Sequence, residues 1–133
     1  DAAGAAIAAS DVIVPTPLHW TRLVSRRFNQ SAWLAQALGR QTGLPVRVDA
    51  LMRVRRRRSQ GGLTASQRQR NVQGVFRAAP GANLAGKTVL LVDDVLTTGA
   101  TVAACTRALK RAGVAGVHVA TLARVVRPVD VVI

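Results

Sequence analysis

The residues with the clearest chemical potential lie between Val89 and Thr101, which read Val-Leu-Leu-Val-Asp-Asp-Val-Leu-Thr-Thr-Gly-Ala-Thr. Two adjacent acids, Asp93 and Asp94, follow an apolar run and precede a turn rich in hydroxyls. Paired carboxylates accept hydrogen bonds from vicinal hydroxyls, as on a ribose, or hold a divalent cation. Thr97, Thr98 and Thr101 supply hydroxyls, and Gly99 lets a ligand come close to the backbone. A helix beginning near Ala100 adds N–H groups without intrahelical partners and the positive end of its dipole. A phosphate cradle beside a diol acceptor points to a ribose 5-phosphate.

Such a site needs a strand before it and a helix after it. Thr88 to Val92 is a continuous apolar run, the pattern of a strand buried on both faces. After a turn at Leu96 to Gly99, a helix is predicted from about Ala100 to Ala112. Val102, Cys105 and Leu109 form its stripe, Lys110 and Arg111 suit its negative end, and Gly113 suits its C′ position. Val117 to Ala123 reads as a further strand. Strand, helix and strand with short links make a βαβ unit, which implies a parallel sheet and a right-handed crossover. Ligands of such sheets sit outside the carboxyl ends of the strands.

The first half carries weaker signals. Asp11 to Val14 reads as a buried strand closed by Pro15 and Pro17. A helix fits Asn29 to Gln41, with Asn29 as N-cap and Trp33, Leu34, Ala37 and Leu38 on one apolar face, so Trp33 is expected in the core. Gly39 or Gly43 ends it, and Val46 to Val54 supplies one or two short strands. Arg55 to Gly74 is polar and basic, with no core stripe, and reads as a long loop of the kind that is usually functional or disordered. The expected fold class is α/β, a three-layer domain around a mainly parallel twisted sheet. It spans 11–133, after an Ala-rich segment, 1–10, expected to be poorly ordered.

One match is a decoy. Gly81 to Thr88 fits the P-loop pattern G-x-x-x-x-G-K-[ST]. That pattern works only where a strand precedes it and a helix begins at the Lys, so that backbone amides surround the phosphates. Here Ala78-Ala79-Pro80 precedes it and a strand follows, so it reads as a tight turn feeding that strand.

Composition narrows the classes further. The 133 residues suit one domain. Of 19 basic residues 17 are Arg, against six acids, all Asp, for a net charge of +13. A field of that sign attracts nucleic acid, phosphorylated metabolites or anionic membrane. Its densest part is Arg53 and Arg55 to Arg58, read either as solvated surface, as a phosphate-binding lid or as a single-strand track. Phe76 is the only aromatic residue near it, few for a base-stacking surface. The single Cys105 excludes an internal disulfide and a cysteine-rich zinc module within these residues, and mid-helix burial would make it inert. No run is long enough to span a bilayer, and the Ala-rich start lacks a basic n-region, so a cytoplasmic protein is expected. The missing initial Met suggests a trimmed or truncated chain.

The stretch from Val89 to Thr101 resembles the phosphoribosyl-pyrophosphate (PRPP) signature of the type I phosphoribosyltransferases: hydrophobic strand, acid-acid, two apolar residues, then T-T-G-x-T. Val14-Pro15-Thr16-Pro17-Leu18-His19, Arg22-Leu23, Arg26 and Phe28-Asn29-Gln30 look like the early block of the ComF (competence protein F) family. Arg53, Gln60, Leu63, Arg68, Asn71, Val72, Gly74 and Phe76 look like its central block. The resemblance covers roughly Asp11 to Arg124. Arg27 departs from the Gly that the family usually carries before Phe-Asn-Gln, and the four-cysteine zinc module found upstream in many members is not in this sequence.

The resemblance implies the type I phosphoribosyltransferase fold and a distribution of roles. Asp93 and Asp94 would bind the ribose hydroxyls, and Thr97, Thr98, Gly99, Ala100 and Thr101 the 5-phosphate. Pro15 to His19, including Thr16, Pro17, Leu18 and His19, matches the pyrophosphate loop, with Arg22, Arg26, Gln60 and Arg68 as further pyrophosphate or hood candidates. For His19 an ordinary loop hydrogen bond is an equal alternative. The segment from about 55 to 74 would be a mobile hood. Mg²⁺ would arrive with PRPP; no protein metal site is read.

The implied function is transfer of a 5-phosphoribosyl group to a base or amine with release of pyrophosphate. No side chain stands out as a general base toward the acceptor. The alternative is a nucleic-acid-handling protein of DNA uptake that uses the same site for binding without turnover. The partners are then PRPP or a nucleoside 5-phosphate, with single-stranded DNA under the alternative; an oligomer is compatible with both.

Overall fold

The computed structural model describes residues 2–17, 30–54, 76–96, 99–124 and 131–132. Val12, Ile13 and Val14 are β-branched and favour extended backbone. They form β1 (Val12–Pro15), buried throughout. The apolar run after Lys87 forms β4 (Thr88–Leu96), which continues beyond Val92 through both acids. Gly116–Arg124 is β5 and Val131–Val132 is β6. The sheet order is β1-β4-β5-β6, with every pair parallel. Val46 adds a single parallel bridge to Ile13.

Side chains alternate across the sheet, and the two faces are covered by different elements. Val12, Val14, Val89, Leu91 and Val119 pack on one face against Ala104, Cys105, Ala108 and Leu109. Those four residues belong to α3 (Ala100–Arg111). The same cluster takes in Leu51 and Phe76. These come from a small antiparallel ribbon of β2 (Leu51–Arg53) and β3 (Phe76–Ala78). Ile13, Leu90, Val92 and Ala120 face the other way, toward Ala35, Leu34 and Leu38. The latter three lie on α2 (Gln30–Thr42). The expected three-layer α/β arrangement is therefore present.

Glycine sets two of the boundaries. Gly43 at φ 79° follows α2, and Gly113 at φ 91° follows α3. Both are left-handed conformations that favour glycine. Between α3 and β5, the Gly113 N–H donates to the Lys110 carbonyl at 3.0 Å.

One element has no pattern in the sequence, and one expectation fails. The Ala-rich start forms a helix, α1 (Ala2–Ala9). Alanine has the highest helix propensity, and here the element is also anchored. The Ser10 hydroxyl donates to the Ala6 carbonyl at 2.8 Å, and Ile7 packs against the Ile13 and Leu90 cluster. Trp33 is not a core residue but is 54% exposed. The buried line of α2 runs through the small residues Ser31 and Ala35, flanked by Leu34 and Leu38. Trp33 stands two positions from each of the first pair, on the far side of the helix. Among the described residues no helix is long and apolar enough to cross a membrane.

Candidate functional site

The site is built where β1 and β4 end and α2 and α3 begin. Pro15 pairs with Val92 across the parallel ladder, and the Thr16 N–H donates to the Val92 carbonyl at 2.9 Å. That register brings Thr16 beside Asp93. Asp93 pairs on its other side with Thr121 of β5, so it lies at the carboxyl end of an interior strand. Ser31, near the start of α2, reaches the same place.

Three donors converge on one oxygen of Asp93. Oδ1 accepts from the Thr16 hydroxyl at 3.0 Å, the Ser31 hydroxyl at 3.3 Å and the Asp94 N–H at 3.0 Å. The Asp94 N–H also approaches the Ser31 hydroxyl at 3.1 Å, and Thr16 and Ser31 hydroxyls lie 3.1 Å apart. Thr16 and Ser31 are buried, whereas both acids are partly exposed. The Thr121 hydroxyl approaches the Asp94 carbonyl at 3.4 Å.

Burial pushes the Asp93 carboxyl up to about 6. The Thr16 hydrogen bond opposes that rise, and the neighbouring Asp94 carboxyl adds to it. A carboxylate held at such a cost to the fold suits a ligand that donates hydrogen bonds to it. Sugar hydroxyls do so.

Past β4, Gly99 adopts φ 83°, ψ 0° and opens α3 with no side-chain cap on the helix. The left-handed turn directs the chain from the strand into the helix, and Ala100 and Thr101 are exposed there. Backbone amides at such a position suit an anion. Asp93, Asp94, Gly99, Ala100 and Thr101 thus flank one strand-to-helix junction. Thr97 and Thr98 lie outside the described residues, as do Leu18, His19, Arg22, Arg26, Gln60, Arg68 and the segment 55–74 expected to form a hood. Of the remaining pyrophosphate candidates, Pro17 is half-buried, and the Thr16 hydroxyl is engaged with Asp93 and Ser31.

Arg53 and Phe76, at the ends of the ribbon that adjoin residues 55–75, are register partners in β2 and β3. The Arg53 guanidinium stands over the Phe76 ring, 5.1 Å from its centroid. Cys105 is buried on α3 as expected; burial holds its thiol well above the usual range, the Asp93 charge adds to that, and Arg53 opposes it. The thiol is therefore a packing group, not a nucleophile.

Ser31 is the member of the site that sequence reasoning missed. It follows the Phe28-Asn29-Gln30 block directly, and that adjacency is its only sequence signal. The P-loop-like stretch forms the anticipated turn. The Gly86 N–H donates to the Gly113 carbonyl at 2.9 Å, the Lys87 N–H to the Leu84 carbonyl at 3.0 Å, and Thr88 begins a strand.

A sequence profile of the phosphoribosyl transferase domain matches residues 29–130. The chain belongs to that family. Competence protein F of Haemophilus influenzae is 36% identical over 115 residues, 86% of this chain and 50% of that protein. DNA utilization protein YhgH of Escherichia coli K12 is 40% identical over 114 residues, 86% of this chain and 49% of that protein. The chain thus spans about half the length of these relatives, and the resemblance to the competence protein F family is borne out. The purine phosphoribosyltransferase of Pyrococcus horikoshii superposes with a TM-score of 0.60 at 21% identity, over 99% of this chain and 75% of that one. At that identity the likeness establishes the fold.

Proposed function

We propose that the chain binds PRPP at the β4–α3 junction and transfers its 5-phosphoribosyl group to a base or amine, releasing pyrophosphate. The observation that carries this reading is the fixed Asp93 carboxylate at the end of an interior parallel strand, beside the opening of α3. Asp93 and Asp94 accept hydrogen bonds from the ribose hydroxyls. Gly99, Ala100 and Thr101, with Thr97 and Thr98, hold the 5-phosphate. The bond between the anomeric carbon and pyrophosphate breaks as the bond to the acceptor nitrogen forms, through an oxocarbenium-like state. Such a reaction needs no protein nucleophile; it needs the sugar fixed, the leaving group neutralised and water excluded. The hood at 55–74 is assigned the last task, with its arginines sharing the second.

Among the described residues no group of three or more His, Cys, Asp or Glu side chains forms a metal site. A pair of carboxylates fits Mg²⁺ only in the manner of a cation carried largely by substrate phosphates. Bound to the pyrophosphate, Mg²⁺ would supply charge neutralisation of the leaving group. The test is release of pyrophosphate from Mg²⁺–PRPP against a panel of nucleobases, amines and ammonia. Release dependent on one acceptor supports transfer; tight PRPP binding without release for any acceptor reduces the reading to a binding module.

A second reading rests on the relatives' names, which assign them to competence and DNA utilization. With a net charge of +13, this chain would then bind single-stranded DNA, with Arg55 to Arg58 as phosphate contacts. Its test is the salt dependence of oligonucleotide binding. Neutralising Arg55 to Arg58 flattens the slope if these contacts exist and leaves it unchanged if they do not.

A further inference from the structure

The hydroxyls of Thr16 and Ser31 stand behind the acid pair, out of solvent. They come from separate elements, 77 and 62 residues before Asp93 in the chain. Both meet the same carboxylate oxygen, Oδ1, where the Asp94 N–H joins them. A carboxylate oxygen has two lone-pair directions, so these donors occupy its acceptor capacity. The two hydroxyls and the N–H all enter at Oδ1, and the Asp94 carboxyl stands beside the Asp93 side chain. These donors thus hold the carboxylate by its Oδ1 edge.

We infer that Thr16 and Ser31 are positioning residues that lock Asp93 through Oδ1 and aim Oδ2 at a sugar hydroxyl. The inference rests on the proposed ribose-phosphate site and deepens it. Ser31 has a second task. Its oxygen faces the Asp94 N–H while its proton is directed to Asp93, so one hydroxyl fixes the side chain of the first acid and the peptide leading to the second. The lock also ties the ends of β1 and β4 to the start of α2. A ligand that depends on Asp93 therefore depends on the packing of three elements.

Protein NMR titration with ribose 5-phosphate and with propyl phosphate, which has no hydroxyls, separates the possibilities. Wild-type protein is measured first: if it does not bind ribose 5-phosphate, the proposed site itself fails. If it binds, Thr16→Val and Ser31→Ala are expected to weaken ribose 5-phosphate about tenfold each, the scale of a lost hydrogen bond to a charged group. Propyl phosphate binding stays unchanged, and Thr16→Ser and Ser31→Thr recover most of the loss. Should Thr16→Val not fold, the Ser31 pair decides alone, because alanine is well tolerated in a helix. Ribose 5-phosphate affinity within about twofold of wild type in the folded variants overturns the inference. So does equal weakening of both ligands, which is the signature of a general structural defect.

Discussion

Two glycine- and threonine-bearing turns stand at opposite ends of β4, and they differ in what their backbones face. The entry turn, Gly81 to Thr88, has the letters of a nucleotide-binding loop, yet its amides are used internally. Gly86 donates to Gly113, and Lys87 donates to Leu84. The exit turn leads from the acid pair into α3 with Gly99, which has no side chain to cap the helix, at the N-cap. Both carry a left-handed glycine, Gly86 at φ 76° and Gly99 at φ 83°. Residue identity alone does not distinguish them. Their place relative to strand direction does, because the carboxyl ends of parallel strands form the crevice in which ligands sit.

That contrast can be broken experimentally, and the exit turn should be the more sensitive end. Gly99→Ala forces a side chain into left-handed backbone, at about 1–2 kcal/mol, and displaces the amides at the start of α3. PRPP affinity measured by calorimetry should fall by at least ~10-fold. Unchanged affinity would remove the exit turn from the site.

The next effect concerns stability. Burial raises the Asp93 carboxyl to about 6, so the native state holds its proton more tightly than the unfolded chain between about pH 4 and 6. Stability is then greatest below that window, falls as pH rises through it, and levels above it. Asp93→Asn should remove this dependence and stabilise the ligand-free protein by on the order of 1–3 kcal/mol at pH 7.5 in denaturant unfolding. An Asn variant less stable than wild type at pH 7.5 would mean that the hydrogen bonds to the carboxylate outweigh its burial.

The entry turn should show the smaller responses. Gly86→Ala meets no atom within 4 Å but keeps the unfavourable φ. It should cost about 1–2 kcal/mol of stability and leave PRPP affinity untouched. Lys87 is exposed, and Lys87→Ala should alter stability by less than ~0.5 kcal/mol and neither PRPP nor ATP binding. ATP affinity lost in Lys87→Ala would restore the P-loop reading.

The parts legible in the sequence are those with strong local patterns. The β4–α3–β5 unit declared itself through a continuous apolar strand, a helix with an apolar stripe and Gly113 at its end. The acids were legible because that unit fixes which end of the strand they occupy. Trp33 was misread because hydropathy favours a large apolar residue, while close packing of α2 on the sheet selects the small Ser31 and Ala35. The helix α1 was missed because an alanine run has no amphipathic period to read. β3 spans only Phe76–Ala78, too short for alternation to register. The roles of Thr16 and Ser31 arise from register between distant segments, and small hydroxyl residues carry no local mark of such a partnership.

Calorimetric titration of PRPP with Mg²⁺ into the wild-type chain and into Asp93→Asn/Asp94→Asn tests the central claim most directly. Binding in the wild type that weakens at least ~100-fold in the folded double variant is the predicted result, the scale of two lost charge-assisted hydrogen bonds. Equal affinity in both proteins would show that the sugar is not held by the acid pair, and the assignment of this site would fall.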